Sequence, residues 1–288
     1  MENVLEIQDL GKNYDGFALK DVSFSLPEGY TMGLIGPNGA GKTTIIKLIM
    51  HLIMKKSGNI KVFGKDLVEN EVEIKERIGF VYDTPNYYDH LNLKQIRRII
   101  SPFYKNWDDS VFYALVDKFE LPLKKSLKKF SRGMVMKAAI AIALSHHADF
   151  IIMDEPTSGL DPVFRRELLD LFYELLQNEK KSILFSTHIT SDLEKIADYI
   201  TFINKGGVVF SMRKDDVFEN FAIIKGDNKL LNEETKKFFS GIRTTEFGFE
   251  ALTGNLSEVK NDLGSDIVVD KATLEDIMYF FNIRGDNA

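Results

Sequence analysis

The chain has 288 residues, 44% of them hydrophobic, with 37 Lys and Arg against 43 Asp and Glu for a net charge of −6, and it contains no cysteine. Such a chain can bury a full core and a second small one, while the missing thiols exclude a disulfide framework and a thiolate metal site and fit a reducing compartment. The acidic balance argues against a broad nucleic-acid footprint, and the longest apolar run, Ala138 to Leu144, is far short of the ~18 residues of a membrane helix.

The N-terminal MENVLEIQDL has early acids and no signal-peptide core. Residues 4 to 35 then alternate in the β manner, with Leu5 and Ile7 on one face and Val22, Phe24 and Leu26 on another, and with turns at Asp15-Gly16 and Pro27-Glu28-Gly29. We expect a small antiparallel layer here. Tyr14 lies in it, either packed as a hairpin aromatic or free to stack on a purine ring.

Tyr30 to Ile53 reads as strand, glycine-rich turn and helix, and Gly36, Gly41, Lys42 and Thr43 satisfy the phosphate-loop spacing. Glycines let successive N–H groups turn inward onto phosphate oxygens, and a helix starting near Lys42 adds the positive end of its dipole. Lys42 can then reach the β- and γ-phosphates, with the Thr43 hydroxyl on Mg²⁺. This predicts a nucleotide site.

A strand is expected at Asn59–Gly64, a polar helix at Leu67–Arg77 and a strand at Ile78–Tyr82. From Asp83 to Phe130 aromatics gather (Tyr87, Tyr88, Phe103, Tyr104, Trp107) around two helical segments, Leu93–Tyr104 and Asp108–Glu120. Those aromatics read mainly as the core of a helical lobe and partly as a partner surface; the run Lys124, Lys125, Lys128, Lys129 reads as a solvated face. Ser131 is a natural N-cap for an apolar-striped helix to about Ser145, and with Gly133 makes a second possible phosphate contact.

Phe150 to Met153 followed by Asp154-Glu155 is a buried strand ending in two acids, at the sheet edge where open α/β folds bind ligands. Asp154 can hold Mg²⁺ directly or through water, and Glu155 can orient and deprotonate an attacking water. A helix (Phe164–Gln177) and a strand (Ser182–Ser186) bring His188 to the same edge; the other four histidines have no comparable setting. Beyond Asp215 short strands are expected at Phe218–Ile224, Thr245–Phe249 and Asp266–Val269, with a last amphipathic helix over Leu274–Phe281. The fold class is α/β: a P-loop NTPase core sheet with an antiparallel β layer and a helical lobe (about 84–146) within residues 1–214, plus a small α/β accessory domain over 215–288.

In this order the motifs resemble the ATP-binding subunit of an ABC transporter. GPNGAGKTT resembles the Walker A motif, which implies that Gly36, Asn38, Gly39, Ala40, Gly41, Lys42, Thr43 and Thr44 surround the ATP phosphates. FIIMDEP resembles Walker B with its catalytic glutamate at Glu155, SGLD (Ser158–Asp161) the D-loop, His188 the switch histidine, and Tyr14 the adenine-stacking aromatic. Phe130–Met134 stands where the family has its signature. Ser131 and Gly133 are retained, while Arg132 and Met134 replace a glycine and a glutamine, and Asp83 stands in place of the Q-loop glutamine as a candidate Mg²⁺ ligand. These departures, with the C-terminal extension, look like the bacterial branch that exports antibiotics and antimicrobial peptides. The resemblance implies an ATPase using ATP and Mg²⁺, a second copy as dimer partner, a separate membrane-spanning permease, and a place on the cytoplasmic face of the membrane. Two rivals are a soluble ABC-type ATPase acting on DNA or ribosomes, opposed by the single cassette and acidic charge, and a regulatory module without turnover, opposed by intact Glu155 and His188.

Overall fold

The computed structural model describes residues 2–85, 87–177, 181–264 and 266–286; Met1, Asn86, 178–180, Ser265 and 287–288, which fall inside the expected domain ranges, lie outside it. The chain opens with β1 (Asn3–Tyr14) and β2 (Phe17–Pro27), an antiparallel pair turning at Asp15-Gly16, and enters β3 (Thr31–Ile35). After α1 (Lys42–Ile49), β4 (Ser57–Val62) and the short β5 (Lys65–Asp66) complete a four-stranded sheet in the order β2-β1-β4-β5. Alternating side chains of β1 and β2 face inward, so Leu5, Ile7, Val22 and Leu26 are buried against Ile45, Ile46 and Ile49 of α1. The expected antiparallel layer is present.

Next come α2 (Glu71–Glu76), β6 (Ile78–Val81), α3 (Leu93–Ile100), α4 (Asp109–Lys118), α5 (Arg132–Leu144), β7 (Phe150–Asp154), α6 (Pro162–Leu176), β8 (Ser182–Thr187), α7 (Thr190–Ile196), β9 (Tyr199–Asn204) and β10 (Gly207–Arg213). Strands run β10-β9-β3-β8-β7-β6, parallel except for β10. β3, β7 and β8 are buried along their whole length, which is why apolar residues in them do not alternate with exposed polar ones. Their carboxyl ends meet at one edge, carrying the phosphate loop, Asp154-Glu155 and Thr187-His188 together.

Several expected spans are corrected. The helix predicted from Leu67 shrinks to Glu71–Glu76, because the Asp66 carboxylate accepts the N–H groups of Val68 and Glu69 and holds a turn there. The helix toward Tyr104 ends at Ile100 and tightens into a 3₁₀ turn over Ser101–Phe103, which contains Pro102. Phe218–Asn220, expected as strand, closes the helix α8 (Lys214–Asn220) before β11 (Ala222–Gly226). Thr245–Phe249, also expected as strand, contains the hairpin turn between β12 (Phe239–Thr245) and β13 (Gly248–Thr253), where the Thr245 hydroxyl accepts the Phe247 N–H. β9 and β10, unassigned from sequence, form a hairpin on the edge of the central sheet.

With α9 (Leu256–Leu263), β14 (Ile267–Lys271) and α10 (Leu274–Asp286), the C-terminal strands make an antiparallel sheet ordered β12-β13-β11-β14. One face has its own apolar cluster around Ile224, Phe239, Phe249 and Val259. Ile223, Leu252, Ile277 and Phe280 instead join the main core, and Phe281 meets Phe202 at 5.5 Å between ring centroids. Truncating fully buried Phe202 to Ala therefore loosens both regions, at about 3–5 kcal/mol.

Candidate functional site

The loop from Gly36 to Gly41 joins β3 to α1. At Gly36 φ is +156° and an added Cβ would overlap the Ile203 carbonyl oxygen; at Gly41 φ is +115° and a Cβ would lie 2.6 Å from Leu19 Cδ2. Neither position takes another residue without the loop moving. α1 thus begins at Lys42 with its free N–H groups directed at the loop interior. Lys42 is 6% exposed: its ammonium donates to the Gly36 carbonyl (2.8 Å) and the Pro37 carbonyl (3.3 Å), and lies 3.5 Å from Glu155 Oε1.

Asp154 is fully buried at the end of β7. Its Oδ1 accepts from Ser186 Oγ (2.6 Å) and Thr43 Oγ1 (3.2 Å), while its Oδ2 has no partner. Burial pushes its carboxyl above the usual range, and the two hydroxyl donors pull it partly back. An unpartnered buried carboxylate oxygen beside a threonine hydroxyl is the hard-oxygen donor pair that a small divalent cation takes. No cluster of three His, Asp or Glu able to hold a metal occurs among the described residues, so this pair would supply only part of a cation's ligand set.

Glu155 has φ +48°, the left-handed region that a side chain occupies at a cost. Its N–H is held by Ser186 through the carbonyl (3.2 Å) and Oγ (2.9 Å). The bend aims its carboxylate back over the loop, where Oε1 faces Lys42 and Oε2 lies 2.8 Å from His188 Nδ1. A carboxylate between an ammonium and an imidazole, one residue past a cation-binding acid, can accept a proton from water.

Two clefts meet across the phosphate loop. The first, about 710 Å³, is lined by Tyr14, Phe17, Asn38, Gly39, Ala40 and Asn204. Tyr14 is 46% exposed there, so the aromatic is presented to the cleft and not packed in the layer. The second, about 600 Å³, is lined by Asn38 to Thr44, Phe17, Asp83, Arg132, Glu155, Ser158 and His188. Asp83 Oδ1 also accepts the Thr84 N–H at 2.6 Å, so it both faces the cleft and fastens the turn that follows. Ser131 caps α5 by accepting the Met134 N–H (3.2 Å); neither it nor Gly133 lines this chain's own cleft. A Cβ on Gly133 would stand 3.6 Å from Phe164, ordinary contact, so nothing inside the chain requires a glycine there. Arg132 does line the cleft, its guanidinium lying over Gly159.

Two residues of the site lie outside the motifs legible in the sequence. Ser186 joins the two acids, and its place follows from β8 lying beside β7 with Ser186 in register with Asp154. Phe17 borders both clefts; only its distance from Tyr14 in the hairpin hints at it. In the helical lobe Tyr87 and Trp107 pack against the core, and burial pushes the Tyr87 hydroxyl up, whereas Tyr88 and Phe103 are exposed.

Residues 19–158 match the ABC transporter family. The chain is similar to the bacitracin transport ATP-binding protein BcrA of Bacillus licheniformis, 36% identical over 211 residues, covering 72% of this chain and 68% of that protein. It is similar to the lantibiotic transport ATP-binding protein SrtF of Streptococcus pyogenes, 34% identical over 215 residues, covering 74% of this chain and 92% of the relative. Among solved structures, an ATP-binding subunit of an ABC transporter superposes with a TM-score of 0.67 at 30% identity, over 75% of this chain and 92% of the other.

Proposed function

The chain belongs to the ABC transporter family as its ATP-hydrolysing motor subunit, and from that premise we propose that it drives export of peptide antibiotics through a separate permease. The substrate class rests on the likeness to the bacitracin and lantibiotic transport proteins. Among the described residues no helix is long and apolar enough to cross a membrane, which agrees with a translocation path on another chain and a place at the cytoplasmic face of the membrane.

The observation that carries the mechanism is the hold on Glu155, its two carboxylate oxygens facing Lys42 and His188 beside the phosphate loop. Tyr14 stacks on the adenine, and residues 36 to 44 surround the phosphates with N–H groups and the α1 dipole. When phosphate enters, Lys42 exchanges its loop carbonyls for the β- and γ-oxygens and so leaves Glu155. Glu155 then takes the proton of the attacking water, and His188 orients the γ-phosphate from the far side of the same carboxylate. Thr43 and Asp154 would hold Mg²⁺ through their oxygens, with Asp83 at the cleft wall as a further oxygen donor, and the ion would supply neutralisation of charge developing on the phosphates. Ser131 and Gly133, which leave their own cleft alone, serve the nucleotide of a second copy in a homodimer.

The experiment is ATP turnover of the purified chain across protein concentration, with and without the permease that co-purifies. A dimeric motor predicts specific activity that rises with concentration and rises again with the permease. Nucleotide binding without turnover at any concentration would assign the chain to the regulatory class instead.

A further inference from the structure

Charge in this protein is segregated. Residues 84–146 carry eleven Lys and Arg against five Asp and Glu, a net +6 in a chain whose total is −6, which leaves −12 on the remainder. Within that region Arg97, Lys105, Lys118 and Lys137 are ion-paired, with Asp109, Glu76, Glu174 and Glu167. Among the described residues Lys124, Lys125, Lys128, Lys129 and Lys94 form no ion pair, and all five are exposed.

The backbone gathers these five. The Leu127 N–H donates to the Leu91 carbonyl (2.9 Å), the Lys128 N–H to the Asp89 carbonyl (2.8 Å), and Asn92 pairs with Ser126. The lysine segment is thereby laid along the start of α3, where Lys94 sits, with Tyr88 exposed alongside at 74%. Like charges gathered on one short segment repel one another.

We propose that this lysine segment contacts the anionic headgroups of the membrane directly. Ammonium groups on flexible stems are point charges suited to mobile phosphates, whereas protein interfaces favour Arg and aromatics and are depleted in Lys. The exposed tyrosine adds an amphipathic tip of the kind that settles at headgroup level. The −12 remainder is repelled by the same surface, so the field turns the molecule with its helical lobe toward the bilayer. That orientation places a groove of about 310 Å³, lined by Lys128 and Phe130, at the membrane side, and the groove shares Asp83 and Arg132 with the phosphate-side cleft. The inference stands apart from the cargo and from the hydrolytic mechanism.

The test is co-sedimentation of the full chain with vesicles of phosphatidylcholine alone and of phosphatidylcholine with about a third phosphatidylglycerol. Binding to the anionic vesicles only is expected, with loss at high salt. Joint substitution of Lys124, Lys125, Lys128 and Lys129 by Ser should weaken it about tenfold or more. Substituting Lys229, Lys236, Lys237 and Lys260 by Ser removes the same charge from the C-terminal region and should leave binding intact. Unchanged ATP turnover of both variants certifies their fold. Equal binding to the two vesicle types, or equal loss in both lysine variants, would overturn the proposal. So would anionic-vesicle binding that survives the first substitution while capture of the permease in lipid-free detergent is lost, which would give the segment to a protein partner.

Discussion

Ser186→Ala tests how the two acids are held. Its hydroxyl donates to Asp154 Oδ1 at 2.6 Å and accepts the Glu155 N–H at 2.9 Å, and the residue is fully buried. Removal leaves Glu155 the Ser186 carbonyl at 3.2 Å but takes from a buried carboxylate the shorter of its two donors. A hydrogen bond to a charged group contributes about 1.5–3 kcal/mol, so the melting temperature should fall by roughly 3–10 °C. The sign of the pH dependence follows from Asp154. Burial raises its pKa and the Ser186 bond opposes that rise. The bond favours the ionised form, so its contribution is present above the folded-state pKa and fades as pH falls through it. The deficit measured by thermal or urea unfolding should therefore be larger at neutral pH than at an acid pH below the folded-state pKa of Asp154. A variant as stable as the parent at both pH values, or a deficit that grows on acidification, would refute this account of the acids.

Three further substitutions address the rest of the site. Tyr14→Ala should raise the KM for ATP about tenfold or more with little change in kcat, and Tyr14→Phe should restore it, since stacking is worth about 1–3 kcal/mol and uses only the ring. Asp83→Gln should bind ATP with a shallower dependence on Mg²⁺ concentration than the parent; superimposable titrations would leave Asp83 as the acceptor for the Thr84 N–H and nothing more. Gly159→Ala should destabilise by about 1–2 kcal/mol, because φ is +68° and the new Cβ would stand 2.6 Å from Arg132 Nη1; in an Arg132→Ala background only the backbone strain remains, and strict additivity in that cycle would deny the contact.

The phosphate loop and the two acids were legible because both are set by local constraints: a strand buried on both faces, glycines where φ is positive, and polar groups at a strand's carboxyl end. Ser186 was not legible as a site residue, since its role depends on β7 and β8 lying side by side in a register that no local pattern states. The two-fold pattern misled near the C-terminus. Phe218 to Asn220 read as the start of a strand, but the acids Asp215 and Asp216, which favour a helix N-terminus, decide for the helix. The hairpin at Glu246-Phe247 was masked by the aromatic itself, a strand former that here stands 97% exposed at a turn. The merging of the C-terminal sheet's inner face with the main core was likewise invisible, because it rests on long-range contacts such as Phe202 with Phe281.

The central claim is that Glu155 is the general base of an ATP-driven motor, and Glu155→Gln tests it most directly. The amide keeps the shape of the side chain within reach of Lys42 and His188 but removes its basicity. Single-turnover hydrolysis with saturating Mg²⁺ should fall by about 10²–10⁴-fold, with ATP binding retained and the nucleotide-bound dimer accumulating. Hydrolysis at the parent rate in that variant would contradict the account.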